Sequence, residues 1–266
     1  MKLRIQHHTT YRYTWPVLYS IQHVRLTPQL GNQRIVDWKV KTPAKQHSAR
    51  DHHGNMVLTF SVNQQHRELT VQSNGHVELE ALRDGYLPTE LKALNPLVYT
   101  PATPLTQFNP EMEEFASFVT DTHIPFAHRM LTLAHAVADR VAYTKGSTTV
   151  ADSAMQAFES GQGVCQDHSH VMLACLRAHG IPARYVSGYF FNPNVEQHDS
   201  HAWVEVFDES RQQWLGVDAT HKALVHANHC RLAVAKDFIG ASPVRGIRTG
   251  GGQESLDVQV TIERVD

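Results

Sequence analysis

The sequence contains Gly163-Val164-Cys165-Gln166-Asp167, a glycine followed closely by a cysteine at the start of a predicted helix. The run that follows it, up to about residue 179, has the apolar spacing of a helix and ends at a glycine and a nearby proline. Two later motifs have the short apolar runs of neighbouring strands: His201-Ala202-Trp203-Val204-Glu205-Val206 and Trp214-Leu215-Gly216-Val217-Asp218. The sequence therefore predicts a cysteine at a helix N-terminus, with a histidine and an aspartate on adjacent strands.

Cysteine, histidine and aspartate in this order predict a nucleophile, a base and a carboxylate that orients the base. His201 lies 36 residues after Cys165, and Asp218 lies 17 residues after His201. The free amides and the dipole at a helix N-terminus stabilise a thiolate, and the backbone N–H of Cys165 would face a developing oxyanion. Neighbouring antiparallel strands would hold Asp218 beside the imidazole. We therefore predict that Cys165, His201 and Asp218 are the catalytic residues.

Two other interpretations of the cysteine compete with this one. A lone cysteine is usually a small buried hydrophobe, which fits Cys175 and Cys230 better than Cys165, where three signals coincide. Zinc binding through Cys165, His168 and His170 would lack a second thiolate and a Cys-x-x-Cys pair. We therefore predict no metal and no cofactor.

Several further residues are candidates for supporting roles. Asp167 and His170 could help to position the catalytic residues without being catalytic themselves. Trp203 could line a substrate site, although a core position is favoured for a tryptophan. Gln162 and Tyr143 are candidates for a second oxyanion donor, but neither spacing is diagnostic.

The chain divides into three predicted parts. Short runs rich in β-branched and aromatic residues predict a small β-sandwich-like domain over residues 1–90. A high density of prolines predicts an extended linker over residues 91–110. Asn109 and Pro110 have the residue types that begin a helix, and helices followed by an antiparallel run of strands predict an α+β catalytic domain over residues 111–266.

Composition limits the partners and the compartment. The 266 residues carry a net charge of −2, with both signs spread along the chain, so nothing favours binding to nucleic acid or to anionic lipid. No stretch reaches the 18 or so apolar residues of a membrane span, and the first residues lack the apolar core of a signal peptide. Three cysteines argue against a disulfide framework. We therefore expect a cytoplasmic protein.

These motifs resemble the bacterial transglutaminase-like superfamily, and the resemblance continues through Gly180-Ile181-Pro182-Ala183-Arg184-Tyr185-Val186-Ser187-Gly188-Tyr189. The β-rich region that precedes such cores is matched by Thr10-Tyr11-Arg12-Tyr13, Arg25-Leu26-Thr27-Pro28 and Asp51-His52-His53-Gly54-Asn55. The ending is similar as well, in Pro243-Val244-Arg245-Gly246 and Gly250-Gly251-Gly252.

The resemblance implies a papain-like core of helices packed on an antiparallel sheet. It also implies Cys165 as nucleophile, His201 as base and Asp218 as orienter, with acyl transfer through a thioester. Two positions depart from the family pattern: Ser200 stands where glycine commonly precedes the histidine, and Ala219 where proline often follows the aspartate.

The sequence thus predicts a thiol-dependent acyl-transfer enzyme, a cysteine peptidase or amidase acting on peptide or protein amide bonds. Hydrolysis is favoured over cross-linking, because there is no carboxylate cluster of the kind that a calcium-dependent switch would need. The alternatives are a cross-linking transglutaminase and a catalytically silent transglutaminase-like binding module. The expected partner is a peptide or protein with an accessible amide, and the N-terminal region could cover the cleft, select substrate or mediate homo-oligomerisation.

Overall fold

The computed structural model describes residues 1–29, 31–89 and 94–265. Residues 90–93, where the predicted boundary between the first domain and the linker falls, lie outside the described residues, as does residue 266. Within the described part, one large antiparallel sheet has seven strands: β1 (Lys2–Val24), β2 (Gln33–Lys41), β3 (Gln46–Arg50), β4 (Met56–Val62), β5 (His66–Leu79), β13 (Val244–Gly250) and β14 (Glu254–Arg264). A second sheet has five strands in the order β11 (Ala223–Leu224), β10 (Gln213–Asp218), β9 (Ser200–Asp208), β8 (Ala183–Phe190) and β12 (His229–Ala235).

Four of the five α-helices in the described residues lie between β5 and β8 in the sequence, and the fifth lies between β12 and β13. They are α1 (Pro110–Phe115), α2 (Phe126–Arg140), α3 (Ala154–Ser160), α4 (Cys165–Ala178) and, later, α5 (Phe238–Ala241), with short 3-10 helices at Pro96–Tyr99, Pro104–Thr106 and Ser117–Thr120. A small parallel pair, β6 (Ala142–Tyr143) and β7 (Gln162–Gly163), leads into α4. The α+β prediction, with helices on an antiparallel sheet after an all-β region, is confirmed.

The long first strand organises the N-terminal sheet into a half-barrel. The first half of β1 pairs with β5 and β14, and its second half pairs with β4 and β13. The register shifts between Arg12 and Val17, so the strand bends where it changes partners. A single bent strand therefore lies at the centre of the sheet.

This sheet differs from the predicted domain of residues 1–90 in two ways. Its described strands form one sheet, and not the two packed sheets of a sandwich. It also includes residues 244–264, which the sequence assigned to the catalytic domain. The apolar alternation of a strand shows that a sheet face will be buried, but it does not identify the strand that pairs with it, so the two C-terminal strands could not be assigned from pattern alone.

The second sheet is covered on both faces. On β9, Ala202, Val204 and Val206 pack with the apolar residues of α4, which are fully buried. On the side of the N-terminal sheet, Tyr189 and Leu232 join the core of that sheet. The second sheet is therefore the layer that joins the helices to the N-terminal half-barrel. A cavity between the half-barrel and the rest of the structure lies at the start of α4.

The Pro-rich segment is packed against the helical core from residue 94 onward. The buried guanidinium of Arg177 on α4 donates hydrogen bonds to the carbonyl of Tyr99 at 3.0 Å and to Thr106 Oγ1 at 2.5 Å. Asn109 caps α1, accepting from the N–H of Met112 at 2.9 Å, as the sequence predicted. The described part of this segment is thus packed structure with 3-10 turns, and not a free extended linker.

Among the described residues, no helix combines the length and the apolar character that crossing a membrane would require.

Candidate active site

Cys165 is the first residue of α4, and the turn before it is held by Asp167. The carboxylate of Asp167 accepts from the N–H of Val164 at 2.8 Å and from Thr148 Oγ1 at 2.7 Å. A Cβ at Gly163 would lie 2.5 Å from the Cβ of Asp167, so only glycine fits there. Burial raises the pKa of Asp167. Asp167 therefore positions the N-terminus of the helix.

His201 lies close to both other residues of the predicted triad. Its Nε2 donates to Asp218 Oδ2 at 2.7 Å, and its ring lines the same cavity as Cys165, which is one of the groups that raise the pKa of His201. Since Nε2 is engaged with the carboxylate, Nδ1 is the nitrogen left for the thiol. Asp218 is fully buried at the end of β10, and His201 is nearly so. The structure thus brings Cys165 and His201 to one cavity, with Asp218 hydrogen-bonded to His201.

The protonation of the His201–Asp218 pair follows from its burial and charge. Burial alone would lower the pKa of His201, but the Asp218 carboxylate and its hydrogen bond, together with the contact to Cys165, raise it to about 10. Burial alone would raise the pKa of Asp218, but His201 and the other imidazoles around it hold it well below its usual value. At neutral pH the pair is therefore an imidazolium beside a carboxylate.

Asp218 is bound by two further histidines that sequence reasoning missed. His221 Nδ1 donates to Asp218 Oδ2 at 2.7 Å, and its ring stacks on Phe190 with centroids 3.9 Å apart. His229 Nε2 donates to the same oxygen at 3.0 Å. One carboxylate oxygen therefore accepts three imidazole N–H groups, including that of His201.

His229 is a neutral donor in this network. Its Nε2 carries the proton that Asp218 accepts, so Nδ1 is free to accept from the backbone N–H of His226 at 3.3 Å. Burial lowers the pKa of His229 to about 4, against the raising effect of Asp218. The fully buried, neutral imidazole of His229 thus holds the Asp218 carboxylate in place by a hydrogen bond and places no second positive charge beside it.

The same cluster is the one that could in principle hold a metal ion among the described residues. His201, Asp218 and His221 offer ligand atoms that all lie within 4.8 Å of one another. However, the nitrogens converge on Asp218 Oδ2 itself at hydrogen-bonding distances, whereas zinc ligands surround a central ion at about 2.0–2.2 Å. The geometry fits a hydrogen-bonded network better than a coordination shell.

The two histidines of the alternative zinc site have separate partners. His168 contacts Thr220 Oγ1 at 3.0 Å and the carbonyl of Val141 at 2.8 Å. His170 accepts from the backbone N–H of Phe238 at 3.2 Å. Both side chains are buried and tie α4 to neighbouring segments, so they serve packing.

Cys165 and His201 open onto a cavity of about 410 Å³. One wall comes from the helices and the second sheet with their connecting segments, and it includes Tyr143. The other wall comes from the N-terminal sheet: His7, Thr9, Tyr11, Leu256 and Val258. A larger cavity of about 670 Å³ lies at Trp214 and the Pro-rich segment, but it contains none of the three predicted catalytic residues, so the chemistry favours the smaller one.

The three further candidates for substrate or oxyanion contacts lie in different environments. Tyr143 lies in the cavity wall with 48% of its surface exposed, and burial together with the nearby Cys165 raises its pKa to about 12, so its hydroxyl stays protonated. Gln162 does not line the cavity. Trp203 is buried in a small core with Val186, Val225 and Val234. Trp203 is therefore a core residue.

The missed residues carried different signals. His221 lies three residues after Asp218, a spacing that a turn closes, so it could have been found from the sequence. His229 lies in β12, and its only signal is one histidine among 19. Its role depends on where β12 lies in the sheet, which no local pattern shows.

Comparisons with known proteins agree with this architecture. A model described as the transglutaminase-like superfamily matches residues 115–219, and one described as the bacterial transglutaminase-like N-terminal region matches residues 3–78. An uncharacterized protein of Mycobacterium leprae is 31% identical over 99% of both chains, and one of Mycobacterium tuberculosis is 30% identical over 98% of this chain and 92% of its own.

Two further relatives bear on fold and chemistry. A protein-glutamine gamma-glutamyltransferase of Pseudomonas aeruginosa is 34% identical over 35% of this chain, which is 16% of its own length. The crystal structure named "a Putative Cysteine Protease from Cytophaga hutchinsonii" superposes with a TM-score of 0.80 at 20% identity, covering 100% of this chain and 91% of that one, and so shares its fold. The chain therefore belongs to the transglutaminase-like superfamily, with the bacterial transglutaminase-like N-terminal region before its core.

Proposed function

We propose that this protein is a thiol-dependent acyl-transfer enzyme that hydrolyses peptide or protein amides, with Cys165 as nucleophile, His201 as base and acid, and Asp218 as the orienting carboxylate. The observation that carries the proposal is that His201 donates to the Asp218 carboxylate at 2.7 Å and lines one cavity with Cys165, which helps to raise the pKa of His201. A nucleophile beside a base that is itself held by a third group is the arrangement that activates a weak nucleophile.

The charge state of the site supports the same proposal. His201 keeps its proton up to a pH of about 10, so it offers a cation to Cys165 throughout the neutral range. The N-terminus of the 14-residue α4 adds a favourable dipole at the sulfur. Both effects stabilise a thiolate, which is the reactive form of cysteine.

The proposed reaction has two stages. The thiolate of Cys165 attacks the amide carbonyl carbon, and His201 gives its proton to the leaving amine as the C–N bond breaks. Neutral His201 then takes a proton from water, whose oxygen attacks the thioester and expels the thiolate as a carboxylic acid forms. Each stage returns His201 to the state that the next one needs.

The oxyanion of each tetrahedral intermediate needs donors. The N–H of Cys165 is in the first turn of α4, where N–H groups have no acceptor within the helix. The protonated hydroxyl of Tyr143 in the cavity wall is the better candidate for a second donor, since Gln162 lies outside the cavity.

A cross-linking activity is the second candidate. It is favoured by the similarity to the Pseudomonas aeruginosa protein-glutamine gamma-glutamyltransferase, which covers about a third of this chain. In that reaction a lysine amine, in place of water, resolves the thioester. A silent binding module, the third alternative, would leave the buried His201–Asp218 contact without a use.

Iodoacetamide labelling against pH, mapped peptide by peptide, tests the proposal. Cys175 and Cys230 are internal references, because burial raises the pKa of Cys175 to about 12 and that of Cys230 further. We expect fast labelling of Cys165 well below the free-thiol pKa of about 8.5. His201→Ala should abolish it, and the matched control His226→Ala should retain it. Equal, slow labelling of all three cysteines would favour the binding module.

Turnover separates hydrolysis from transfer. Glutamine-containing peptides are incubated with wild-type protein or Cys165→Ala, in the presence and absence of a fluorescent primary amine. Ammonia release without amine incorporation supports the hydrolase. Incorporation by the wild type but not by Cys165→Ala would assign the protein as a cross-linking enzyme.

A further inference from the structure

Over residues 1–29, 31–89 and 94–265, no strand pairs with the outer edge of β14 along its first half. Val260 turns its carbonyl away from β1 and accepts from the N–H of His198 at 2.9 Å. Because backbone groups alternate in direction with a period of two along a strand, those of Leu256 and Val258 also point away from β1. Among the described residues, His198 is the only one that forms a bridge with this edge.

The segment that forms this bridge leaves the edge after one residue. His198 pairs with Val260 in the antiparallel sense, so continued pairing would bring Ser200 opposite Val258. Instead Ser200 begins β9 and pairs with Tyr189. The chain thus makes one bridge to the N-terminal sheet and then turns into β9, and no residue in the described ranges pairs with the next positions of the edge, Val258 and Leu256.

These positions lie at the candidate active site. Leu256 and Val258 line the cavity that also contains Cys165 and His201. Leu256 is 55% exposed, although it is a large apolar residue on a strand. Free N–H and C=O groups beside an exposed apolar side chain form a template for another strand.

We infer that an extended peptide substrate binds here by pairing its main chain with Leu256 and Val258, in line with His198, so that its scissile carbonyl reaches Cys165. This inference rests on the proposed function and names its substrate class: unfolded or extended segments of protein, held mainly by backbone hydrogen bonds. Continuity of the edge with the cavity favours a substrate over a second copy of the chain, which would pair edge to edge.

Leu256→Pro tests the pairing. Its N–H points outward, so proline removes one donor to the peptide while the ladder between β1 and β14 keeps its bonds, and proline is tolerated on an edge strand for this reason. Leu256→Ala is the matched control, because it removes the side chain and keeps the N–H. Circular dichroism and urea unfolding of both variants establish that the sheet is intact.

The probes are two chloromethyl ketones with the same reactive group, acetyl-Ala-Ala-Ala-Ala and acetyl-Ala. We expect the long reagent to label Cys165 about tenfold faster than the short one in the wild type, and Leu256→Ala measures how far the rate of each reagent depends on the side chain. Relative to Leu256→Ala, Leu256→Pro should slow the long reagent by about threefold to tenfold, the effect of one or two lost hydrogen bonds, and slow the short reagent far less.

Several results would overturn the inference. They are equal rates for the two reagents in the wild type, equal slowing of both by Leu256→Pro, or sedimentation that shows a dimer which Leu256→Pro dissociates. Failure of the proposed function is seen separately, as labelling by the short reagent that is no faster than that of glutathione. A length-dependent rate would support the edge even then.

Discussion

The pH dependence of the contribution that Asp218 makes to stability can be worked out from the structure. The pKa of His201 rises from 6.5 to about 10 on folding, chiefly because Asp218 outweighs the effect of burial. At about 1.36 kcal/mol per pH unit, this corresponds to at most roughly 5 kcal/mol of folding free energy. A raised pKa contributes stability that is fully present below the unfolded pKa and is lost as pH rises through the folded one. The contribution should therefore be complete near pH 6 and vanish by about pH 10.

Asp218→Asn removes the charge and keeps the shape. We expect it to lower the free energy of unfolding by roughly 3–5 kcal/mol near pH 6, and the difference from wild type to shrink steadily towards pH 10. Urea titrations across this range under reducing conditions measure the difference directly. NMR titration of the His201 ring should show its pKa falling to 6.5 or below, because burial remains when the carboxylate charge is gone.

Asp208→Asn is the matched control for this experiment. Asp208 is also a buried carboxylate, but it accepts from Tyr86 and Ser210, each at 2.7 Å, and not from a histidine. Burial would raise the pKa of Asp208, but these hydrogen bonds lower it, so it titrates in the acidic range. Its effect should be constant from pH 6 to pH 10. A constant effect for Asp218→Asn as well would refute the assignment of a charged His201–Asp218 pair.

Three further substitutions test other parts of the structure. His229→Leu should destabilise the protein by about 1.5–3 kcal/mol more than His229→Gln, whose amide can still donate to Asp218, and equal losses in urea unfolding would reduce the imidazole to a space-filling role. Gly163→Ala should cost about 1–3 kcal/mol and slow the alkylation of Cys165, because the new methyl group meets Asp167; an unchanged alkylation rate would contradict this. The buried carboxylate of Glu205 forms ion pairs with the buried guanidinium groups of Arg184 and Arg231, so Glu205→Gln, which removes the negative charge, should lower the free energy of unfolding by about 3–5 kcal/mol. A loss below about 1 kcal/mol in denaturant unfolding would show that solvent or a rearrangement compensates.

Local structure was largely predictable from the sequence. The start of α4 at Cys165 and its end near residue 179 follow from glycine, proline and apolar spacing, and both agree with the structure. The start of α1 follows in the same way from the residue types of Asn109 and Pro110. These features depend on neighbours along the chain, which a single sequence contains.

Features that depend on distant partners were not predictable in the same way. The strand of His229 was not predicted, so its contact with Asp218 could not be foreseen. The C-terminal segment was assigned to the catalytic domain, whereas its strands Val244–Gly250 and Glu254–Arg264 pair with β1 in the N-terminal sheet. In both cases the sequence shows that a segment is extended and partly buried, while its partner in the sheet is fixed only by the packing of the whole chain.

The pairing of β1 with β13 and β14 has a consequence for the order in which the protein can fold. Lys2–Val24 is synthesised more than 200 residues before two of the four described strands that it pairs with, Val244–Gly250 and Glu254–Arg264. The N-terminal sheet therefore cannot form completely while the ribosome is still producing the helical core. Until β13 and β14 are synthesised, β1 lacks these two partners and one of its edges stays exposed. Pairing across such a long sequence separation is slow and open to aggregation. We expect chains cut before residue 244 to leave β1 unprotected, so that neither terminal region can be expressed as an independent fragment.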